Sequence, residues 1–546
     1  MSNPQAARRS SLFFLYGPPA SGKSTIGNLL AESLALPFVD LDQCIEGETN
    51  LSIPEIFAKE GEQGFRAHEK KLLLETLKMD WGVIALGGGA LLDPENRSLV
   101  ERAGPVICLT TSPEALLERS GSTSNKRPLL AEGEQNRVSN DRLMNLLAQR
   151  ESHYASFVNQ VETHSKSPEE LVWEIQIQMG AFHLRGMASS GVRGPSLEDN
   201  LTRPAPLGYD VRVYRRILDD IGDLFNQNKL ISPISLVTDQ NVAPFYLSRT
   251  VESLQAAGFT VHPVVIPPGE ASKTMEVVSY LWQQFLEDGL ERQGTVIALG
   301  GGVVGDLAGF AAATYQRGVR WVILPTSLLA MADASLGGKT GADLPQGKNL
   351  VGAFHAPQLV LTDPDALETL PQGELRSGMA EVIKAGIIGD ATLFENCGQG
   401  WQEIESNWDE FIRRAMAVKI KVIEADPYEG GLRAVLNLGH TIGHAVEVVS
   451  NYELRHGEAV AIGMVVEARL AEKIGVAESG LADRIGEVCS LLGLPVEIPE
   501  GMSTGAIIKA MQADKKRAAG IMRLSLPVRI GEVVPGIEVE DLSSLI

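Results

Sequence analysis

Residues 295–317, TVIALGGGVVGDLAGFAAATYQR, run from an apolar, strand-like stretch straight into a glycine turn and then into a helical pattern. That order commits this part of the chain to a parallel sheet wrapped by helices, because strand, tight glycine turn and helix form the repeating unit of such sheets. The same unit occurs at the front of the chain. There SLFFLY leads into the loop GPPASGKS at Gly17 to Ser24, followed by TIGNLLAESLAL and PFVDLD, and further strands are expected at VIALGGG (83–89) and PVICLT (105–110). VIALGGG returns at 296–302, yet its flanks differ completely, so the likeness is a shared strand-to-glycine-turn solution rather than an internal repeat.

At 546 residues the chain is too long for one hydrophobic core, and two or three domains are expected. Between Phe182 and Pro206 the periodicity gives way to Gly, Ser, Pro and charge, which predicts a linker over 182–206 after a first domain at 1–181. An α/β segment is expected over 207–365, with strands at ISLVTD, TVHPVVIP, TVIALGG and WVILPTS. Over 366–546 the period becomes helical, as in RSGMAEVIKAGII, FIRRAMAVKIKVIEAD and GEAVAIGMVVEARLAEKIG. With 44% hydrophobic and 21% charged residues, each part can bury a core. A net charge of −21 argues against nonspecific binding to nucleic acid or to an anionic membrane, so anionic ligands must be met by local lysines and arginines. Four scattered cysteines without CxxC spacing suggest neither a disulfide framework nor a thiolate zinc site, and a reducing cytoplasm is expected. Apolar stretches such as Trp321 to Ala332 fall short of the roughly 18 residues that cross a bilayer, so no membrane partner is expected.

The loop GPPASGKS fits the phosphate-binding pattern. Gly17 and Gly22 let backbone N–H groups face nucleotide phosphates, Lys23 reaches the outer phosphates, Ser24 can ligate Mg²⁺, and Thr25 completes the ATP site. Asp40 and Asp42 in FVDLD sit at the end of the next strand, where they serve either as helix caps or as carboxylates near magnesium and an acceptor hydroxyl. With the elements DLD, FRAHE, GGG and KRP in order along the chain, residues 11–175 resemble shikimate kinase. The resemblance implies that Asp40 belongs to the magnesium shell and that Asp42 holds shikimate hydroxyls and acts as base. It also implies that Arg66, Gly87, Gly88, Gly89 and Arg150 surround the acceptor. A guanidinium fork suits its carboxylate. Arg127 in NKRPLL would be the lid cation that neutralises the transferring phosphoryl group. Gluconate and adenylate kinases share the loop, and another small-molecule kinase is the alternative.

In the second part, PPGEASKT carries Glu270 and Lys273, GGGVVGD carries Gly301, Gly302 and Asp306, and Asp239 and Asn241 follow the strand ISLVTD. The segments GGKTG and GKN add lysines, and GHTIGH places His440 and His444 on one helical face, where a two-histidine zinc pair is the direct reading. Together these motifs, over about 207–546, resemble 3-dehydroquinate synthase. The resemblance implies a fold of an NAD-binding α/β subdomain followed by a mostly α metal-binding subdomain. NAD⁺ would lie on Asp239, Asn241, Glu270, Lys273, Gly301, Gly302 and Asp306. Zn²⁺, with Co²⁺ as an alternative, would be held by Glu381, His440 and His456, leaving His444 as an acid/base or orienting group.

For the substrate, 3-deoxy-arabino-heptulosonate 7-phosphate, the resemblance assigns Asp333, Lys339, Lys348, Asn349, Lys384, Lys419, Arg433 and Asn437, with Lys515 or Lys516 as a further anion contact. Of these Lys339, Lys384 and Lys419, with His444, are the catalytic candidates. The implied reaction is a closed redox cycle: hydride leaves C5 for NAD⁺, phosphate is eliminated, the hydride returns, and an aldol closure gives 3-dehydroquinate. A homodimer through this half is expected. The competing readings are a cyclase using sedoheptulose 7-phosphate and a metal-dependent polyol dehydrogenase, which would not need the GGKT and GKN cations and would release NADH.

Overall fold

The computed structural model describes residues 11–79, 81–113, 115–116, 131–132, 137–138, 140–184, 208–427, 429–517 and 523–539, and the chain divides into two compact units, Met1–His183 and Leu184–Ile546. In the first unit five parallel strands lie in the order Phe38–Asp40, Trp81–Ala85, Ser11–Tyr16, Val106–Thr110, Asn159–Glu162. The strand Ser11–Tyr16 is central because both of its faces are apolar: Leu12, Phe14 and Tyr16 join one core cluster, and Phe13 and Leu15 join the other. After it the chain winds towards one edge and then crosses to the other, so the glycine loop lies where the winding reverses, the place in such sheets where ligands bind. Gly17 has φ +137°, and a Cβ there would meet Leu109 O at 2.3 Å, so only glycine lets the loop leave the strand. Leu41 and Asp42 belong to the first turn of the helix Leu41–Thr49 rather than to the strand end expected from FVDLD, because the Asp40 carboxylate accepts from the Asp42 and Gln43 N–H groups and starts the helix early.

The second unit holds six parallel strands in the order Val261–Ile266, Ile234–Asp239, Thr295–Gly300, Arg320–Pro325, Leu359–Thr362, Tyr209–Val213. Winding reverses between Ile234–Asp239 and Thr295–Gly300, so Asp239 and the Gly301 turn end adjacent strands at the switch point. The helix Gly302–Thr314 lies close on the sheet, with Gly305 facing Ile323 and Gly309 facing Trp321. The GGKT and GKN segments form an antiparallel hairpin, Lys339–Leu344 with Gly347–Phe354. Beyond it come the helices Gln372–Gly389, Trp408–Ala425, His440–Val449, His456–Lys473, Leu481–Leu491 and Thr504–Arg517. The helical expectation fails at the end of the chain, where Arg523–Arg529 and Glu532–Glu538 form a second antiparallel hairpin. Its Leu524 and Leu526 complete the core that Ile442, Val446, Ile462 and Val466 begin, and that burial decides the conformation.

Candidate functional sites

In the first unit the loop and the triglycine segment converge. Lys23, at the start of the helix Lys23–Ser33, folds its ammonium back onto the carbonyls of Gly17 and Pro18, both at 3.0 Å, which holds the charge over the loop. The Ser24 hydroxyl donates to Asp40 Oδ2 at 2.5 Å, so a hydroxyl and a carboxylate that are both hard oxygen ligands sit side by side. Thr25 follows within the same first turn. Across from them, Gly87 leaves room for the carboxylates of Glu69 and Asp42, and Gly89 for the Arg66 guanidinium. Arg66 Nη1 donates to Glu69 Oε2 at 2.6 Å. Glu69 is 1% exposed, and burial raises its carboxyl pKa even against the pull of Arg66. The Gly88 carbonyl accepts from Tyr154 at 2.8 Å, Tyr16 at 3.2 Å and Arg150 at 3.3 Å, which fixes the triglycine turn and points Arg150 at it. Glu69, Tyr16 and Tyr154 were missing from the residue set derived from sequence; the spacing FRxxE was the one visible signal for Glu69. Arg127 lies outside the described residues.

In the second unit the helices His440–Val449 and His456–Lys473 touch backbone to backbone. A Cβ on Gly463 would meet Gly439 O at 1.9 Å and one on Gly443 would meet Ala459 O at 2.9 Å, so this seam brings His456 beside His440 and His444. The three rings lie 5.3, 5.2 and 5.7 Å apart between centres, and one ligand atom from each falls within 4.8 Å of the others. Glu381 reaches the same point from Gln372–Gly389: its Oε1 is 3.6 Å from His440 Nε2 and 3.5 Å from His456 Nε2. His440 Nδ1 pairs with Leu438 O at 3.1 Å and His456 Nδ1 with Glu447 Oε2 at 3.3 Å, leaving both Nε2 atoms turned towards Glu381. Burial, helped by the Lys384 ammonium, pushes His440 down to about 3 and keeps it neutral, as a metal ligand must be. His456 lies at about 9, because Glu381 and Glu447 outweigh its burial. Two imidazole nitrogens and a carboxylate suit zinc, and His444 stands close enough to be a fourth neighbour.

Beside this cluster, Asp333 lies in a π-helical turn, Ala330–Ala334, the kind of bulge that reshapes a helix to aim a side chain. Lys419 Nζ is 2.8 Å from Asp333 Oδ2 and donates to Asp333 O at 2.7 Å, while Lys384 Nζ is 2.5 Å from Glu381 Oε2 and 3.8 Å from Asp333 Oδ1. Burial pulls Lys419 below the usual lysine range, whereas for Lys384 the two carboxylates overcome burial and raise it. Lys348 stands 3.4 Å from Glu447 Oε1 and 3.7 Å from Glu270 Oε1. Lys339 pairs with Glu429, which also lies 3.4 Å from the buried Arg433, so these cations form a second group around Glu429. Asn437 is exposed.

At the switch point Lys273 is buried between Asp306 Oδ2 at 2.6 Å and Asn349 Oδ1. The helix Gly302–Thr314 begins at Gly301 with no side-chain cap, which leaves its first N–H groups open to an anion. Asp239 Oδ1 accepts from the N–H groups of Asn241 and Val242, which closes the turn after its strand. An uncapped helix end, a switch point and nearby carboxylates fit a dinucleotide. Lys515 and Lys516 lie on the helix Thr504–Arg517, but their side chains are outside the described residues. Glu447 was the residue missed in this unit; its i, i+3 spacing from His444 could have flagged it.

Comparison with known proteins matches each unit separately. Residues 19–179 match the shikimate kinase family model, residues 263–377 the 3-dehydroquinate synthase N-terminal model, and 378–517 its C-terminal model. A 3-dehydroquinate synthase of Nostoc punctiforme is 45% identical over 332 residues, which is 60% of this chain and 92% of that protein. The 2-epi-5-epi-valiolone synthase ValA of Streptomyces hygroscopicus subsp. jinggangensis, solved with NAD⁺ and Zn²⁺ bound, is 31% identical and superposes with a TM-score of 0.57 over 63% of this chain and 95% of that one. A 2-deoxy-scyllo-inosose synthase complexed with carbaglucose-6-phosphate, NAD⁺ and Co²⁺ is 25% identical with a TM-score of 0.56, covering 60% of this chain and 91% of that one.

Proposed function

Since the chain belongs to the 3-dehydroquinate synthase family and carries a shikimate kinase domain ahead of it, we propose that its two clusters are the two active sites of a bifunctional shikimate-pathway enzyme. One activity is ATP-dependent phosphorylation of the 3-hydroxyl of shikimate. The other converts 3-deoxy-arabino-heptulosonate 7-phosphate to 3-dehydroquinate and phosphate. When bound, NAD⁺ supplies a reversible hydride acceptor and Zn²⁺, or Co²⁺, a cation for the substrate's hydroxyl oxygens.

In the kinase unit Lys23 neutralises the outer phosphates, and Ser24 with Asp40 holds the magnesium of ATP. Asp42 Oδ1, beside Gly87, accepts the proton of the attacking hydroxyl, and Arg66 and Arg150 grip the shikimate carboxylate. Arg127 belongs to the same proposal, as the cation that offsets charge on the transferring group. In the synthase unit Glu381, His440 and His456 hold the metal, and Gly301, Gly302, Asp239, Asn241, Glu270, Lys273 and Asp306 hold NAD⁺. Lys384 and Lys419 keep their positive Nζ atoms on substrate oxygens, and Lys419, lowered by burial, is the group better able to release a proton at Nζ. His444 orients or exchanges a proton at the same oxygens. Lys348, Asn349, Lys339, Arg433, Asn437 and one of Lys515 and Lys516 bind the carboxylate and phosphate ends.

The observation that carries the reading is the meeting of Glu381, His440 and His456 with two buried lysines in a chain of net charge −21. A dehydrogenase acting on a neutral polyol would gain nothing from burying those cations. With heptulosonate phosphate and a trace of NAD⁺, the purified chain should release phosphate without accumulating NADH. Steady NADH growth on an unphosphorylated polyol would replace the synthase reading, and turnover of sedoheptulose 7-phosphate in preference to the acid would move it to another cyclase. The synthase half is further proposed to pair as a homodimer, which its mass in solution checks. Cytoplasmic localisation is proposed from the four free cysteines. Among the described residues no helix is long and apolar enough to cross a membrane.

A further inference from the structure

We propose that Glu447 is the positioning residue that ties the metal-binding His456 to the anion-binding Lys348, so that one carboxylate governs both the affinity for the metal and the grip on the substrate's charged end. The inference rests on the synthase reading and adds to it a residue and a coupling. Glu447 lies on the helix His440–Val449, two turns beyond His440, and its side chain is 9% exposed. Its two oxygens go to different partners: Oε2 meets His456 Nδ1 at 3.3 Å, and Oε1 meets Lys348 Nζ at 3.4 Å. Lys348 is further held by the Tyr452 ring, whose centroid is 4.4 Å from Nζ.

An acceptor on Nδ1 fixes the plane of His456 and leaves Nε2 facing Glu381 Oε1, which is the orientation a shared ion needs. The other oxygen fixes Lys348 at the end of the hairpin strand Gly347–Phe354, a part of the chain otherwise largely exposed. Removing the negative charge therefore loosens a metal ligand and a substrate cation at once. Lys348, with Tyr452 beneath it, meets the His456 side of the cluster through the Glu447 carboxylate, which is the link.

The test is Glu447→Gln in the full chain, with zinc affinity measured by competition against a chelating dye and KM for heptulosonate phosphate measured at saturating zinc. Zinc should bind about 10- to 100-fold more weakly, and KM should rise while the metal site is full. Lys348→Met should raise KM and leave zinc affinity within a factor of about two. Thermal unfolding of the metal-free protein and NAD⁺ binding check that the fold survives; if Glu447→Gln fails that check, Glu447→Asp, which keeps the charge on a shorter stem, is read in its place. Parental zinc affinity or parental KM in the folded variant overturns the inference. Absence of stoichiometric zinc in the unmutated chain would instead overturn the synthase reading beneath it.

Discussion

Glu467 is fully buried beneath the first turn of the helix His440–Val449, where its carboxylate accepts from the Gly439 N–H. Burial pushes its carboxyl up to about 8, against an ordinary value of 4.5, although the backbone N–H groups of Gly439 and Ile442 pull the other way. The folded state thus keeps a proton that the unfolded chain has lost across that window. Its contribution is complete below about pH 4.5 and is lost as pH rises through about 8. Thermal unfolding of the second unit should therefore fall more steeply between those pH values in the parent than in Glu467→Gln, which imitates the neutral acid; parallel slopes would show that Glu467 is ionised throughout. Arg66 and Glu69 present a buried carboxylate with a cationic partner: burial raises the Glu69 carboxyl and the Arg66 guanidinium pulls it the other way without cancelling that rise. Arg66→Ala strands a buried carboxylate, and because the arginine itself is 29% exposed the cost should be about 2 kcal/mol, below the roughly 3–5 kcal/mol of a fully buried pair. Denaturant unfolding of the first unit measures it, and recovery of most of that loss in Arg66→Ala/Glu69→Gln would confirm the cause. An unchanged midpoint in the single variant would mean that Glu69 finds water.

The seam between the helices His440–Val449 and His456–Lys473 sets the proposed metal site as an element. Gly463→Ala would place a methyl group 1.9 Å from Gly439 O, so the helices must part or shift, at about 1–3 kcal/mol and with loss of bound zinc. At Gly486, in the helix Leu481–Leu491, an added Cβ would meet only the Val465 side chain, at 4.0 Å, and Gly486→Ala should instead stabilise by roughly 0.5–1 kcal/mol. Equal effects from the two substitutions would refute the close seam. Much of this scale was legible in the sequence. Strand, glycine turn and helix could be read at both Ser11–Ser33 and Thr295–Thr314, because the apolar runs are long and the glycines sit at their ends. The hairpin bearing Lys339 and Lys348 was not legible, since much of Gly347–Phe354 is exposed and has no apolar face to alternate. Neither was the final hairpin, whose leucines matter only once the helices they cover are in place. Glu447 and Glu69 were missed for a related reason: a single carboxylate in a helix looks solvated until the fold buries it against a histidine or an arginine.

At the scale of the molecule the two units, Met1–His183 and Leu184–Ile546, each gather their own cluster of polar groups: a phosphate loop with its lysine, serine and aspartate in the first, and a histidine–glutamate cluster with buried lysines in the second. Legibility was high here, because each set is spread along its own unit in an order that a family resemblance can align; the partner contacts that set the charge state of each group became visible only in the fold. The central claim is that two chemistries are carried independently by one chain. The most direct test measures shikimate phosphorylation and dehydroquinate formation on the same preparations of Lys23→Ala and Glu381→Gln. Lys23→Ala should lose the phosphorylation by at least about a thousandfold while keeping dehydroquinate formation near the parental rate, and Glu381→Gln should do the reverse, with bound zinc falling in step. Loss of both activities from either single substitution, in protein that remains folded, would contradict the account.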